Sequence, residues 1–472
     1  MSRQRISHEK SETHSDVIAA IITPPGEGGL GALRVAGAGS LELCGPLLGW
    51  QTTHPESFHM RLTTCVHPQS GDALDEVMAV WMPAGKSYTG DEQVEIFTHG
   101  GRITLKNILH ALFYAGARPA EPGEFTRRAF LAGRIDLSEA EAVAEIISAK
   151  SDFAYRAARD NLFGKTSALV DGLRTQVTRL AAFLEANVDF PEEDIETEDY
   201  REVTELCRES QDTLKRLIDS YSGGKIIRDG FKVALCGAPN SGKSSLFNAL
   251  LKTHRALVSK TPGTTRDYIS EWIQIGDIAV ELSDTAGLRD DAEEIEAAGQ
   301  EFARHIAEQS DLALWLIDVS ETDWSQNLSK SFAANLDHCI LIANKTDLLD
   351  KTKLPGLGQL AQKHFPRKKL VPISCKTGAG LDALESALEK EINLRLPDQT
   401  DAYIVTSERH KQKFSEARAA LDKVASGLSN NASPELIAFD VRQALNALDE
   451  ITGKVYTEDL LDIIFANFCV GK

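Results

Sequence analysis

The sequence predicts a multidomain chain: an α+β domain first, then an all-α helical domain interrupted by an inserted α/β domain. Three observations carry this. The chain has 472 residues, and at about 100 to 200 residues per domain it can build about three cores. Two tracts with apolar residues at helical spacing flank a block in which strand and helix patterns alternate. Within that block an apolar run leads directly into a glycine-rich phosphate loop.

The elements follow in order. Residues 1–15 mix Arg3, Arg5 and Lys10 with Glu9 and Glu12 around no apolar run. They match neither a secretory signal nor an acid-poor transit peptide and are expected as a disordered tail. Residues 16–133 carry strand-like runs at Val17–Ile22, Gly31–Val35, Val77–Trp81 and Val94–Thr98, cut by Pro and Gly clusters, and one helix pattern from Ile103 to Ala115. From 134 to 222 Gly and Pro become rare, and Leu169, Leu173, Val177, Leu180 and Leu184 recur on one helical face. The run Ser222-Gly223-Gly224 reads as a break. Residues 230–392 form the α/β block, and over 398–472 a helical pattern returns with Ala417, Leu421, Val424 and Leu428, then Leu436, Phe439, Leu445, Leu448 and Ile451. A helix with one apolar stripe must bury it, and the second tract is the simplest cover for the first, which makes the α/β block an insertion. Two separate helical bundles are the other arrangement the pattern permits.

The formal net charge is −19. It speaks against a surface that grips phosphate backbone all over, so any nucleic acid has to be held by a local patch or by a partner. Seven cysteines are scattered without a C-x-x-C pair, unlike a zinc ribbon or a secreted disulfide framework, and a reducing, cytoplasmic setting is expected. Apolar runs such as Leu312–Ile317 are far shorter than the roughly 18 residues that cross a bilayer, so no membrane span is expected.

The chemistry concentrates in the inserted block. Lys232–Cys236 is a buried-strand pattern, followed by Gly237-Ala-Pro-Asn240-Ser241-Gly242-Lys243-Ser244-Ser245 and an apolar helical start. Glycines there let backbone N–H groups converge on phosphate oxygens, and the helix N-terminus adds positive potential. Lys243 would reach the β and γ phosphates, and the Ser244 hydroxyl suits Mg²⁺. Forty-one residues after Lys243, the strand pattern Ile278–Leu282 ends in Asp284-Thr285-Ala286-Gly287, a carboxylate placed to hold Mg²⁺. Sixty residues further, Cys339–Ala343 ends in Asn344-Lys345-Thr346-Asp347. The Asp347 carboxylate can accept from both N1–H and the 2-amino group of guanine, a donor pair that adenine lacks. Val371–Ile373 leads to Ser374-Cys375-Lys376, whose backbone would meet the guanine O6. Thr264 and Thr265 lie in a polar loop able to close over the γ-phosphate. These four elements, in order and each at a strand end, resemble the GTP-binding domain of translation-factor-like GTPases. Leu288 follows Gly287 where Ras-like proteins carry a water-orienting glutamine. Water must then be positioned from elsewhere, and the acidic stretch Asp290–Glu296 is the place to look.

The chain as a whole, from about Asp16 to Lys472, resembles the MnmE (TrmE) family of tRNA-modification GTPases. The marks outside the G domain are Pro24-Pro25-Gly26 through Arg34 to Gly37, Tyr88-Thr-Gly-Asp91, His99-Gly-Gly101, Gly123-Glu-Phe-Thr-Arg-Arg-Ala-Phe130, Gly133-Arg134-Ile-Asp-Leu137 and Phe468-Cys469-Val-Gly-Lys472. The resemblance implies a tetrahydrofolate-binding N-terminal domain and a helical domain interrupted by the G domain. It implies a GTPase, stimulated by K⁺ and by G-domain pairing in a homodimer. With the flavoprotein MnmG (GidA), in a heterotetramer, it would add an aminomethyl or carboxymethylaminomethyl group to C5 of wobble uridine in certain tRNAs. The one-carbon source would be 5-formyl- or methylene-tetrahydrofolate. Carried over residue by residue, K⁺ falls to Asn240, Ser259, Thr261 and Thr264, Mg²⁺ to Ser244 and Thr265, and water positioning to Glu296. Folate falls to Arg34, Glu95, Arg134 and Lys472. Cys469 is either a one-carbon nucleophile or a structural thiol. Given the net charge, MnmG is expected to supply most contacts to tRNA phosphates. A second reading, a GTP-switched ribosome-assembly factor resembling Era or Der, requires a basic RNA-binding domain, and nothing after Ser374 is strongly basic.

Overall fold

A computed structural model describes residues 4–5, 16–50, 55–189, 197–253, 269–284, 304–321, 324, 336–350, 356–359, 361, 365, 368–397, 403–430 and 432–472. The chain divides into two compact units, one of residues 1–147, 159–215 and 412–472 and one of 148–158 and 216–411.

The first unit opens with a six-stranded sheet. Its strands are β2 (Ile18–Ile21), β3 (Gly28–Ala36), β4 (Arg61–Val66), β5 (Ala73–Met82), β6 (Gln93–Gly100) and β7 (Arg118–Pro119), in the order β4-β5-β6-β3-β2-β7. Neighbours are antiparallel except β2 and β7. Helices α1 (Ser40–Leu47) and α2 (Arg102–Tyr114) cover one face, where Leu33, Val35, Val77, Val94 and Ile96 pack with Leu47, Leu105, Ile108 and Leu112. Strand side chains alternate, so Arg34 and Glu95 stand on the opposite face. On that face α3 (Glu124–Leu131) buries Phe125 against Ala20 and Ala36. Every strand pattern expected here is present, while β4, β7, α1 and α3 were not anticipated.

Helices α4 (Leu137–Ser148), α5 (Asp152–Leu162), α6 (Lys165–Asp189) and α7 (Thr197–Asp229) follow. The expected break at Ser222-Gly223-Gly224 is corrected: α7 runs straight through it. The two glycines are there because the chain returns against them. A Cβ on Gly223 would lie 2.1 Å from Pro397 Cδ, and one on Gly224 would lie 2.0 Å from the Val405 carbonyl oxygen.

The second unit is built on β8 (Phe231–Gly237), β9 (Ile269–Ile275), β10 (Ile278–Asp284), β11 (Leu312–Asp318), β12 (Cys339–Asn344) and β13 (Lys369–Pro372), in the order β13-β12-β11-β8-β10-β9. Only β9 runs antiparallel to its neighbour. Leu235, Val280, Leu314 and Ile342 pack against Leu246 and Leu250 of α8 (Lys243–Thr253) and Leu384 and Leu388 of α9 (Leu381–Asn393). Parallel neighbours put the C-terminal ends of β8, β10 and β12 at one edge, the place where open α/β sheets bind ligands.

Back in the first unit, α10 (Glu408–Ser429), α11 (Pro434–Thr452) and α12 (Glu458–Phe465) complete the helical domain. Helix α6 packs along α11, burying Val170, Leu173, Val177 and Leu180 as α11 buries Val441, Ala444, Leu448 and Ile451. Arg174 Nε meets Asp449 Oδ1 at 2.8 Å, and Gln211 Nε2 meets Asp422 Oδ1 at 2.7 Å. The two helical tracts therefore cover each other. Leu436 and Phe439, expected in the α11 stripe, are 64% and 55% exposed. The stripe runs instead through Ile437, Val441, Ala444 and Ala447, where small residues let the helices approach. Gln4–Arg5 (β1) pairs antiparallel with Val455–Tyr456 (β14).

Candidate functional site

The phosphate loop hangs between β8 and α8. Gly237 holds φ 138°, where a Cβ would sit 2.4 Å from the Leu316 carbonyl oxygen. Asn240 adopts the left-handed region at φ 60°, which its short polar side chain tolerates better than most. Lys243 Nζ donates to the carbonyls of Gly237 (2.9 Å) and Ala238 (3.0 Å), spanning the loop that phosphates would fill. Ser244 Oγ donates to Asp284 Oδ2 at 3.0 Å, and Asp284 is buried. Two hard oxygen donors at a strand edge suit Mg²⁺. Ser245 follows in the exposed first turn of α8.

Asn344 ties this loop to the base side. Its Nδ2 donates to the Ser241 carbonyl at 2.8 Å, and its Oδ1 accepts from the Cys375 N–H at 3.2 Å. Gly242 must be glycine here, since a Cβ would fall 2.2 Å from Asn344 Nδ2. Asp347 Oδ1 accepts from Ser374 Oγ at 2.7 Å, which orients an exposed carboxylate. Lys345 Nζ pairs with Asp318 Oδ2 at 2.6 Å. Burial opposes ionisation of Asp318, yet its bonds from Lys345 and Ser320 hold the carboxyl below its ordinary range. Burial pushes the Cys375 thiol up to about 11, so it stays neutral beside the loop. Lys376 is exposed at the same turn. Asp318 was not singled out from the sequence, where it is only another strand-end carboxylate. Ser259, Thr261, Thr264, Thr265, Thr285, Ala286, Gly287 and Glu296 lie outside the described residues.

A second cluster stands on the α3 side of the first unit's sheet. Arg34 and Glu95 are direct cross-strand partners on β3 and β6. Arg34 Nε and Nη2 each lie 2.9 Å from Glu95 Oε1, and Gln93 Nε2 lies 3.0 Å from the same oxygen. Three donors thus saturate one oxygen and leave Oε2 for a ligand N–H. The Arg34 guanidinium sits 4.8 Å from the Tyr88 ring centre and 5.5 Å from that of Phe125. The segment 469–472 closes over this edge. Phe125 N–H donates to the Lys472 carbonyl at 3.0 Å, and Gly471 holds φ 98°, where a Cβ would meet the Ile21 carbonyl oxygen at 2.5 Å. Burial, and next the charge of Arg34, lower the Lys472 ammonium below its ordinary value. Cys469 is exposed in the same segment. Arg134 Nη1 donates to the Gly85 carbonyl at 2.8 Å, on the loop that carries Tyr88. Gln93, Tyr88 and Phe125 had no assigned role in the sequence reading. Tyr88 and Phe125 lie in motifs already noted, and Gln93 is marked only by being polar at a buried strand position.

A family model described as the MnmE helical domain matches residues 137–469, and one described as the GTP-binding protein TrmE N-terminus matches residues 17–134. The chain is 38% identical over 462 residues to a tRNA modification GTPase MnmE of Natranaerobius thermophilus, covering 97% of this chain and 99% of that protein. It is 38% identical over 464 residues to the Akkermansia muciniphila protein of that name (96% and 98%). The Aquifex aeolicus one matches at 38% over 457 residues (96% and 99%).

Proposed function

The chain belongs to the MnmE (TrmE) family of tRNA modification GTPases, and from that premise we propose that it hydrolyses GTP at the β8–α8 loop to drive modification of C5 of wobble uridine in tRNA. The observation that carries this is Asn344, which joins the phosphate loop to the loop of Asp347 and Ser374, so base and phosphate recognition form one unit.

In this reading Asp347 selects guanine, Ser374, Cys375 and Lys376 frame its O6 edge, and Gly242, Lys243, Ser244 and Ser245 hold the phosphates. Ser244, with Asp284 beside it and Thr265, would hold Mg²⁺, which neutralises charge between the β and γ phosphates. Asn240, Ser259, Thr261 and Thr264 would hold K⁺, which supplies positive charge where the transition state gains negative charge. Glu296 orients water, because Leu288 offers no hydrogen bond. The Arg34, Glu95, Arg134 and Lys472 set fits a tetrahydrofolate: Glu95 Oε2 accepts from the pteridine amino edge, and the cations suit the glutamate tail. The chain acts as a homodimer with a flavoprotein partner of the MnmG type, in the cytoplasm. Support for the ribosome-assembly alternative is lacking, since the family models match sequence on both sides of the inserted block.

Mass spectrometry of tRNA from cells lacking the chain tests the proposal. The C5 side chain on wobble uridine should vanish and return with the parent gene; unchanged modification would overturn it.

A further inference from the structure

Helix α2, like α8 of the phosphate loop, departs from the net charge of the molecule. In a chain of net charge −19, its 13 residues, RITLKNILHALFY, contain no Asp or Glu. Leu105, Ile108, Ala111 and Leu112 are spent on the sheet. The outward side presents Arg102, Ile103, Lys106, Asn107, His110 and Tyr114, all exposed. Arg102, Lys106 and His110 are spaced i, i+4, i+8, so they stack along one face at about 6 Å per step. At the end of that row the His67 ring lies 5.6 Å from the Tyr114 ring, tilted by 41°. Among the described residues neither Arg102 nor Lys106 makes an ion pair. Arg102 also occupies the first helical turn, where the helix dipole favours carboxylates, so its charge is a local cost without a local return.

We propose that this face of α2 is a docking surface for the sugar–phosphate backbone of tRNA. The inference rests on the family reading that the chain acts on tRNA and adds where this chain touches it. Unpaired cations in a row, an amide and an aromatic pair at the end are the donors and stacking surface that a phosphate track uses. An anionic membrane is less well matched, because Leu105, Ile108 and Leu112 face the sheet and leave only Ile103 and Tyr114 as large exposed apolar side chains of α2, too few for an apolar face that inserts into lipid. Arg34 and Glu95 project from the other side of the sheet, so α2 holds the body of the RNA and does not touch the reacting base. With two full charges the surface is a modest contributor, in keeping with a partner that supplies the rest.

The test is fluorescence anisotropy of a labelled, unmodified tRNA transcript titrated with the full chain at several salt concentrations. The parent should bind weakly with log K falling against log salt. The R102E/K106E variant should bind roughly tenfold or more weakly at low salt and show a slope shallower by about two. Its GTP turnover should equal the parent's, which excludes misfolding. Identical curves for parent and variant, no binding by the parent at low salt, or preferential retention of the parent on phosphatidylserine vesicles would each overturn the proposal. If wobble-uridine modification still depends on the chain while these curves coincide, this surface falls and the functional reading stands.

Discussion

Asp347 shows how much one carboxylate can decide. Ser374 Oγ occupies one of its oxygens at 2.7 Å and so fixes its plane before any base arrives. In the proposed function, replacing it by Asn removes a charged acceptor for two guanine donors and presents an N–H₂ to the 2-oxo group of xanthine. D347N should lose GTP affinity by about a hundredfold or more, since bonds to a charged group contribute about 1.5 to 3 kcal/mol each. It should gain affinity for xanthosine triphosphate; calorimetry with both nucleotides reads the exchange, and an unaltered preference for GTP would remove Asp347 from the base site. The role proposed for this residue can be read from the sequence because it depends on a strand end and a short motif. Glu95 and Arg34 were legible only through family resemblance. They are 61 residues apart, and what joins them is the register of β3 on β6, which no local spacing encodes.

At the level of elements the instructive case is α7. Gly223 and Gly224 look like a helix stop, since glycine disfavours a helix by about 1 kcal/mol relative to alanine. Their reason is distant in sequence: the return chain at Pro397 and Val405 lies against the helix, and Ser220 Oγ accepts from the Val405 N–H at 3.1 Å. Local propensity lost to tertiary contact. Gly172, in α6, has nothing within 4 Å of its Cβ position. The two sites therefore predict opposite signs. G172A should stabilise by about 0.5 to 1 kcal/mol through propensity alone. G224A should destabilise by about 1 to 3 kcal/mol, because a backbone oxygen 2.0 Å away has to move. Urea denaturation of the two variants measures both; equal shifts would mean that the α7 notch is not tightly closed. Strand β4 and helix α1 were missed for a related reason, as RLTTCV alternates weakly and SLELCGPL carries a glycine and a proline inside its helix.

For the molecule as a whole, the α/β insertion in a helical domain was readable because amphipathic stripes require a partner. Of what α11 buries, Leu448 and Ile451 were readable, but its N-terminal half was not, since alanines at the α6 contact carry little signal beside the exposed Leu436 and Phe439. The proposed K⁺ and pairing mechanism belongs at this scale. Exchanging K⁺ for Na⁺ should slow GTP hydrolysis by about tenfold or more, given that a missing cationic group costs even larger factors elsewhere. In K⁺ the specific activity should rise with protein concentration. Phosphate release measured across both series checks this, and indifference to cation and concentration would exclude it. The segment 469–472, seated on Phe125 and Ile21, carries a last consequence. During synthesis the ribosome delivers Arg34 early and Lys472 some four hundred residues later. A nascent or prematurely terminated product can own a finished phosphate loop and still lack the lid of its other cluster. Completion of that cluster is thereby tied to the synthesis of residues 469–472, so the phosphate loop is finished before the other cluster is.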